Sequence, residues 1–266
     1  MKDPFDRTVD YLRVSVTDRC NLRCAYCYPH PSPSKRSHQR MLSLKEIEDA
    51  VAVAVDLGIT RVRLTGGEPL VRPGIVNLVA RLARLRGLRD LSLTTNGLLL
   101  RRLAAPLAAA GLGRINVHLD TLDPRRYAEA TGGGDVSEAL GGIEAARATQ
   151  IFPVKLNCVV AASSDEPDAR LVASYARAYG HEVRYIRRMD LRAGVFSVVQ
   201  GGNGGDCPRC NRLRLTSDGW VRPCLFSDLA FDLRELGTTT AFVHAIALKP
   251  RAGTTCQTHD FYAIGG

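Results

Sequence analysis

The sequence predicts an α/β fold, a partial six-unit parallel βα barrel followed by a small C-terminal module that carries its own cysteines. Three observations lead there. Strand-like alternating stretches and helix-like amphipathic stretches take turns from Arg13 to Arg187, the signature of a parallel sheet with helical crossovers. Polar or glycine-rich residues follow the ends of most of those strands, where parallel α/β folds place their ligands. Past Met189 the periodicity stops, and Gly194, Gly201, Gly202, Gly204 and Gly205 crowd into residues 190–206.

The strands are predicted, in order, at 11–17, 60–65, 90–95, 114–119, 153–159 and 182–187, from alternation and β-branched content. Helices are predicted at 44–57, 74–86, 98–110, 124–149 with a break at Gly132-Gly133-Gly134, and 166–179. Ser43 and Glu46 form a capping box for the first helix. Pro73-Gly74 and Asp123-Pro124 punctuate two further helix starts. Six units are too few to close an eight-stranded barrel, so a curved, open one is expected. Ser217-Asp218-Gly219 is a hairpin turn signal between two short strands, and 228–248 reads as one or two short helices. The expected divisions are 1–190 for the barrel, 191–252 for the second module and 253–266 for a tail ending in Gly265-Gly266.

The chain has 266 residues, 45% hydrophobic and 24% charged, ordinary for a soluble protein. No apolar run is long enough to span a membrane, and the charged start Met1-Lys2-Asp3-Pro4 has no secretory character. Eight Cys without an export signal imply the cytoplasm, and metal or redox chemistry rather than disulfides. Six of them fall into two groups of three, which leaves Cys158 and Cys256 as incidental or buried thiols. The net charge of +9 calls for a polyanionic partner or a solvated basic surface. With aromatics at 6% and no basic run interleaved with them, a base-stacking nucleic-acid platform is not expected.

The first thiol group, Cys20, Cys24 and Cys27, has C-x3-C-x2-C spacing on a loop after the first strand. Three thiolates can hold three irons of a cubane and leave the fourth open to a ligand. Structural zinc wants four closed ligands, and His30 is the nearest fourth candidate, so counting alone leaves zinc open. The second group, Cys207, Cys210 and Cys224, again offers three thiols with no fourth Cys nearby. It lacks the second C-x2-C of a zinc ribbon and reads as a second cluster. Gly66-Gly67-Glu68-Pro69 follows the second strand and permits close approach of backbone to a ligand. Cys20, Cys24, Tyr26 and Cys27 together resemble the motif of the radical S-adenosylmethionine superfamily. Gly66, Gly67 and Glu68 resemble its GGEP segment, which contacts the amino group and carboxylate of S-adenosylmethionine.

Long cations recur on the strands. Arg61 and Arg63 share a face, Arg212 and Arg214 do the same, Lys155 and Asn157 share a face of the fifth strand, and Arg184 lies on the sixth. If they point inward they need a buried polyanion, because unpaired buried charge costs several kcal/mol. A triphosphate held by arginine forks would serve. No P-loop is present, so side chains would have to build the site.

The segments Tyr11 to Asn21, Arg63 to Leu70, Leu93 to Gly97, Cys210 to Leu215, Arg222 to Phe226 and the final Gly265-Gly266 resemble the GTP 3′,8-cyclase family of molybdenum cofactor biosynthesis over nearly the whole chain. The resemblance implies two [4Fe–4S] clusters and S-adenosylmethionine as cofactors. It implies reductive cleavage at the first cluster, hydrogen abstraction from the ribose C3′ of GTP, and attack on guanine C8, with the second cluster holding the guanine. Arg13, Arg63, Thr94, Lys155, Arg184, Arg212 and Arg214 would bind GTP. Tyr26, Gly67, His118 and Met189 would line the S-adenosylmethionine site, and Arg13, Gly265 and Gly266 would support the chemistry. Implied partners are a flavodoxin- or ferredoxin-type one-electron reductant, the next enzyme of the pathway and a second copy of the chain.

Three departures stand out. His118 occupies a position where the family has a serine contacting S-adenosylmethionine. Arg187-Arg188 replaces a more acidic pair. The stretch from Met189 to Cys207 and the tail are shorter than in typical members. Two other readings make distinct predictions. A radical enzyme with one auxiliary cluster acting on a peptide or a different nucleotide is tested by whether Arg13, Lys155, Arg184, Arg212 and Arg214 converge on one cavity; a peptide-modifying relative would lack that cationic funnel and carry more auxiliary thiols. A basic, non-catalytic metal or nucleic-acid-binding module would carry its cations as an outer stripe.

Overall fold

The computed structural model of the protein describes residues 1–27, 41–149, 151–258 and 261. Six parallel strands, β1 Tyr11–Ser15, β2 Arg61–Thr65, β3 Asp90–Thr95, β4 Arg114–His118, β5 Lys155–Val160 and β6 Glu182–Arg187, follow one another across the sheet. Helices alternate with them: α1 Leu44–Asp56, α2 Ile75–Leu82, α3 Leu100–Ala109, α4 Pro124–Thr131, α5 Val136–Arg147 and α6 Pro167–Tyr179. The expected break between α4 and α5 is real, with Gly132 in the left-handed region at φ 71° as the cap of α4. Ser43 and Glu46 make both bonds of the capping box at α1.

The sheet does not stop at six strands. β7 Arg212–Leu215 pairs in parallel with the free edge of β1, and β8 Trp220–Arg222 and β9 Phe231–Asp232 continue antiparallel, giving the order β6-β5-β4-β3-β2-β1-β7-β8-β9. The hairpin expected at 212–222 is present, with Gly219 at φ 95° in its turn. Its first strand also satisfies the backbone groups that β1 would leave unpaired on the side away from β2. Two short helices, α7 Leu233–Leu236 and α8 Thr238–Ala247, follow β9. The two-residue strand β9 is too short to register as alternation in the sequence.

Parallel strands usually read as continuous apolar runs because helices cover both faces. Here they alternate, and the structure gives the reason. Leu12, Val14, Val62, Leu64, Leu91, Leu93, Ile115, Val117, Leu213 and Leu215 are buried in the main core. The intervening positions turn to the concave face. Pairing aligns Arg214, Arg13 and Arg63 in one row across β7, β1 and β2, and Arg212, Tyr11 and Arg61 in the next. A second, small core forms from Leu191, Phe226 and Cys256, with Met189, Phe196 and Leu225 against it. Cys158 and Cys256 are both buried thiols, as expected of residues outside the two groups. Among the described residues no helix is long and apolar enough to cross a membrane.

Candidate active site

The Cys loop leaves the end of β1 and is stitched to the end of β2 by backbone. Gly67 N donates to Thr17 O at 2.8 Å, and Glu68 N donates to Arg19 O at 2.7 Å. A Cβ on Gly67 would lie 2.3 Å from the Arg19 carbonyl oxygen, and one on Gly66 would lie 2.3 Å from that of Thr17. Gly66 also has φ 138°, so neither position admits a side chain. Glu68, the third member of the segment, is buried, and its carboxylate is fully occupied. It accepts from Leu70 N at 2.9 Å, Thr95 Oγ1 at 2.8 Å and Asn96 N at 2.7 Å. Glu68 thus locks the loop after β2 to the loop after β3.

Burial pushes the Glu68 carboxyl up to about 7, against the pull of those three donors. A folded-state value raised above the unfolded one gives stability that is full below the ordinary 4.5 and is lost as pH rises through about 7. Thermal melts of Glu68→Gln are expected to lack the decline between those limits that the parent chain shows. Parallel pH profiles of the two proteins would rule this out.

These elements enclose a first cavity of about 180 Å³. Cys20, Cys24, Cys27, Tyr26, Gly66, Gly67, Glu68, Thr94, His118, Arg187, Arg188 and Met189 line it, together with Phe261 near the C-terminus. Thr94, which the resemblance pairs with the nucleotide, stands on this wall. His118 Nε2 lies 3.0 Å from Asp120 Oδ2, and the same nitrogen meets the Tyr26 hydroxyl. Burial alone would lower the His118 pKa, but Asp120 outweighs it and the net direction is upward. His118 is therefore an imidazole already held by an acid and by the motif's own aromatic residue.

A second cavity of about 450 Å³ lies on the concave face. Its wall holds eight cations, Arg13, Arg61, Arg63, Arg114, Lys155, Arg184, Arg212 and Arg214, and the thiol residues Cys207, Cys210 and Cys224. Its two carboxylates are already engaged: Asp90 accepts from Arg114 Nε at 2.9 Å, and Asp206 pairs with Arg209 at 2.6 Å. Arg61 is held by Asp10 at 2.7 Å, and Lys155 is paired with Glu182. Arg63 instead has neutral partners, Ser92 Oγ at 3.3 Å and, with the Asn116 amide turned over so that its oxygen faces the guanidinium, that oxygen at 2.7 Å. Among the described residues Arg184 Nε and the Tyr11 hydroxyl are buried without a hydrogen-bond partner. Burial lowers the pKa of Arg13, Arg63 and Arg184, and brings Arg214 to about 10, with Arg212 adding to the effect. A wall of this kind is relieved by a polyanion.

Asn157, Ile186 and Met189 line both cavities, so the two share a wall. Tyr11 and Arg114 were not among the expected site residues, and Arg61 was expected only as one of the recurring strand cations. Arg61, Arg63 and Arg212 all lie over the Tyr11 ring, 5.6–5.8 Å from its centroid. The alternation of Tyr11 with Arg13 on one strand was the available signal.

The donor sets suit clusters. Burial pushes the Cys20 thiol up to about 11 and raises Cys24, so a bound cationic metal is what would hold them as thiolates. Burial also raises Cys224; at Cys210 burial pushes the same way but is outweighed by Lys249 and Arg212 together, and the net direction is downward. Among the described residues no three His, Cys, Asp or Glu side chains converge as ligands of one metal ion do. A Cβ on Gly253 would lie 3.3 Å from Cys224 Sγ and 2.7 Å from Phe226 Cβ, so the second site needs that glycine. His30, Gly265 and Gly266 lie outside the described residues.

A family model described as the Radical SAM superfamily matches residues 14–168. The GTP 3′,8-cyclase of Thermodesulfovibrio yellowstonii is 37% identical over 305 aligned positions, covering 94% of this chain and 95% of that protein. The alignment is longer than the 266-residue chain, so that relative carries segments absent here. The GTP 3′,8-cyclase of Heliobacterium modesticaldum is 40% identical, covering 88% and 86%. Among solved structures, anSMEcpe with bound AdoMet superposes with a TM-score of 0.67 at 16% identity, covering 91% of this chain and 81% of that one. SuiB from Streptococcus suis, bound to its precursor peptide SuiA, gives 0.59 at 19% identity, and this chain spans 40% of its length. At those identities the structural likeness speaks for the fold alone. The chain belongs to the radical SAM superfamily and, within it, to the family of GTP 3′,8-cyclases.

Proposed function

We propose that this chain is the GTP 3′,8-cyclase of a molybdenum cofactor pathway. The observation that supports this most is the second cavity, which gathers eight cations and three thiols behind a wall shared with the Cys20–Cys27 cavity. Its volume of about 450 Å³ falls in the range of small-molecule sites. Cations on an outer stripe, as a nucleic-acid module would carry, do not match this arrangement. Nor does a peptide substrate account for so many inward-facing guanidinium groups.

Cys20, Cys24 and Cys27 would hold one [4Fe–4S] cluster, and Cys207, Cys210 and Cys224 a second. Bound together, the first cluster and S-adenosylmethionine supply radical chemistry that the side chains cannot. Gly66, Gly67, Tyr26, His118 and Met189 shape the S-adenosylmethionine pocket, and Glu68 holds the loop that forms it. Arg13, Arg63, Arg184, Arg212 and Arg214 bind the triphosphate, with Lys155 beside them. The second thiol site receives the guanine, and Asn157, Ile186 and Met189 flank the passage between base and cofactor. The net reaction breaks the ribose C3′–H bond, whose hydrogen leaves on 5′-deoxyadenosine, and joins C3′ to guanine C8, an external electron and a proton completing the product. Preorganised cations fix the nucleotide in one pose, which is what such a ring closure demands of a site. Electrons come from a flavodoxin- or ferredoxin-type donor in the cytoplasm, and the next pathway enzyme takes the cyclised nucleotide.

Anaerobically reconstituted protein is expected to carry about eight irons per chain, two cubanes. With a reductant, GTP and S-adenosylmethionine it should yield 5′-deoxyadenosine and a cyclised nucleotide. Activity with another nucleoside triphosphate and none with GTP would overturn the substrate assignment, and about four irons would overturn the second cluster.

A further inference from the structure

Lys249 directly follows Leu248, the cap of α8, and is only 3% exposed. Its ammonium donates to Pro223 O at 2.6 Å and to Arg212 O at 2.7 Å. An ammonium has three N–H donors, and these bonds direct two of them. Both acceptors are neutral carbonyls, and among the described residues no carboxylate pairs with it. A buried charge without an anion costs several kcal/mol. The groups beside it that can become anions are the sulfurs of Cys210 and Cys224.

The position is braced from the other end of the chain. Arg7, paired with the buried Asp3 at 2.6 Å, donates to Pro250 O at 2.6 Å, to Arg251 O at 2.8 Å and to Cys207 O at 2.8 Å. Arg7 therefore fixes both the segment after Lys249 and the backbone of Cys207. Lys249 holds the backbone two residues after Cys210, at Arg212, and the residue before Cys224. Two buried cations, one near each end of the chain, hold all three cysteine segments.

We propose that Lys249 is the fixed counter-ion and positioning residue of the second thiol site, gathering Cys210 and the Cys224 segment and offsetting the negative charge of their thiolates. This rests on the reading of Cys207, Cys210 and Cys224 as ligands of a second cluster. Outer groups that hydrogen-bond or carry charge beside a ligand sulfur tune both the retention of a cluster and its potential. A cation there favours the reduced, more negative form.

The test compares parent, Lys249→Met and Lys249→Arg proteins after anaerobic reconstitution, by iron content and EPR-monitored redox titration. Cleavage of S-adenosylmethionine at the first cluster serves as an internal control for folding. Lys249→Met is expected to lose the second cluster's signal, about half the iron, or to keep it at a more negative potential. Lys249→Arg, which keeps the charge, should return the signal or the potential towards the parent. A Lys249→Met protein with parental iron and unshifted potential would overturn the inference, as would Lys249→Arg behaving like Lys249→Met. A parent protein holding only one cluster would remove the second-cluster reading itself, and a parent with two clusters that ignores residue 249 would remove only the role given to Lys249.

Discussion

Gly67→Ala is expected to abolish S-adenosylmethionine cleavage, by roughly 100-fold or more, without unfolding the chain. The added Cβ would sit 2.3 Å from the Arg19 carbonyl oxygen and 2.6 Å from its carbon. Neither is the flexible end of a side chain, so the backbone must move. What moves is the residue before Cys20, which is tied to this segment through the bonds from Gly67 N to Thr17 O and from Glu68 N to Arg19 O. Displacing them shifts one cluster ligand relative to Cys24 and Cys27 and narrows the approach of the cofactor. A misplacement of about 1 Å at a reacting centre is enough for a 100-fold loss. The strands below are held by the apolar face under the helices, so circular dichroism and the iron bound at the proposed second site should be unchanged. Measuring 5′-deoxyadenosine formation alongside iron content checks this. Near-parental cleavage would mean the loop has slack that the contact distances deny.

Much of this architecture was legible because the strands advertise their two faces. The alternation of Arg13 with Val14, and of Arg63 with Leu64, gives strand, inward face and cationic lining at once. The pairing of β7 with β1 was not legible. Tyr11 and Arg212 are far apart in sequence, and no local pattern states that a cysteine-bearing hairpin will complete the main sheet. That pairing puts Arg212 and Arg214 level with Tyr11 and Arg13, and so brings the second thiol group to the cationic cavity. Glu68 was legible as part of a motif but not in its contacts, because the carboxylate and two of its donors, Thr95 and Asn96, come from different segments. Lys249 was silent for a different reason. A lysine before a proline after a helix reads as a helix end, and only the fold shows that its ammonium is buried against sulfur.

Arg212→Ala should weaken GTP binding about 10- to 100-fold while S-adenosylmethionine cleavage, uncoupled from the nucleotide, persists. The magnitude follows from one charge-assisted hydrogen bond, about 1.5–3 kcal/mol. Arg61 is the right comparison. Both guanidinium groups lie over the Tyr11 ring, at 5.6 Å for Arg61 and 5.8 Å for Arg212, and both line the second cavity. Arg61 is clasped by both oxygens of Asp10, at 2.7 and 2.8 Å, and much of its charge is already matched. Among the described residues Arg212 has no acidic partner. If the cavity works by offering unmatched positive charge, Arg61→Ala should cost at most a few-fold where Arg212→Ala costs the larger factor. Titrating GTP into both variants, with cleavage assayed separately, separates the two cases. Equal losses would mean that aromatic stacking on Tyr11, not charge, is what the nucleotide reads. Loss of cleavage together with binding would mean that Arg212 holds the fold at the β1–β7 seam.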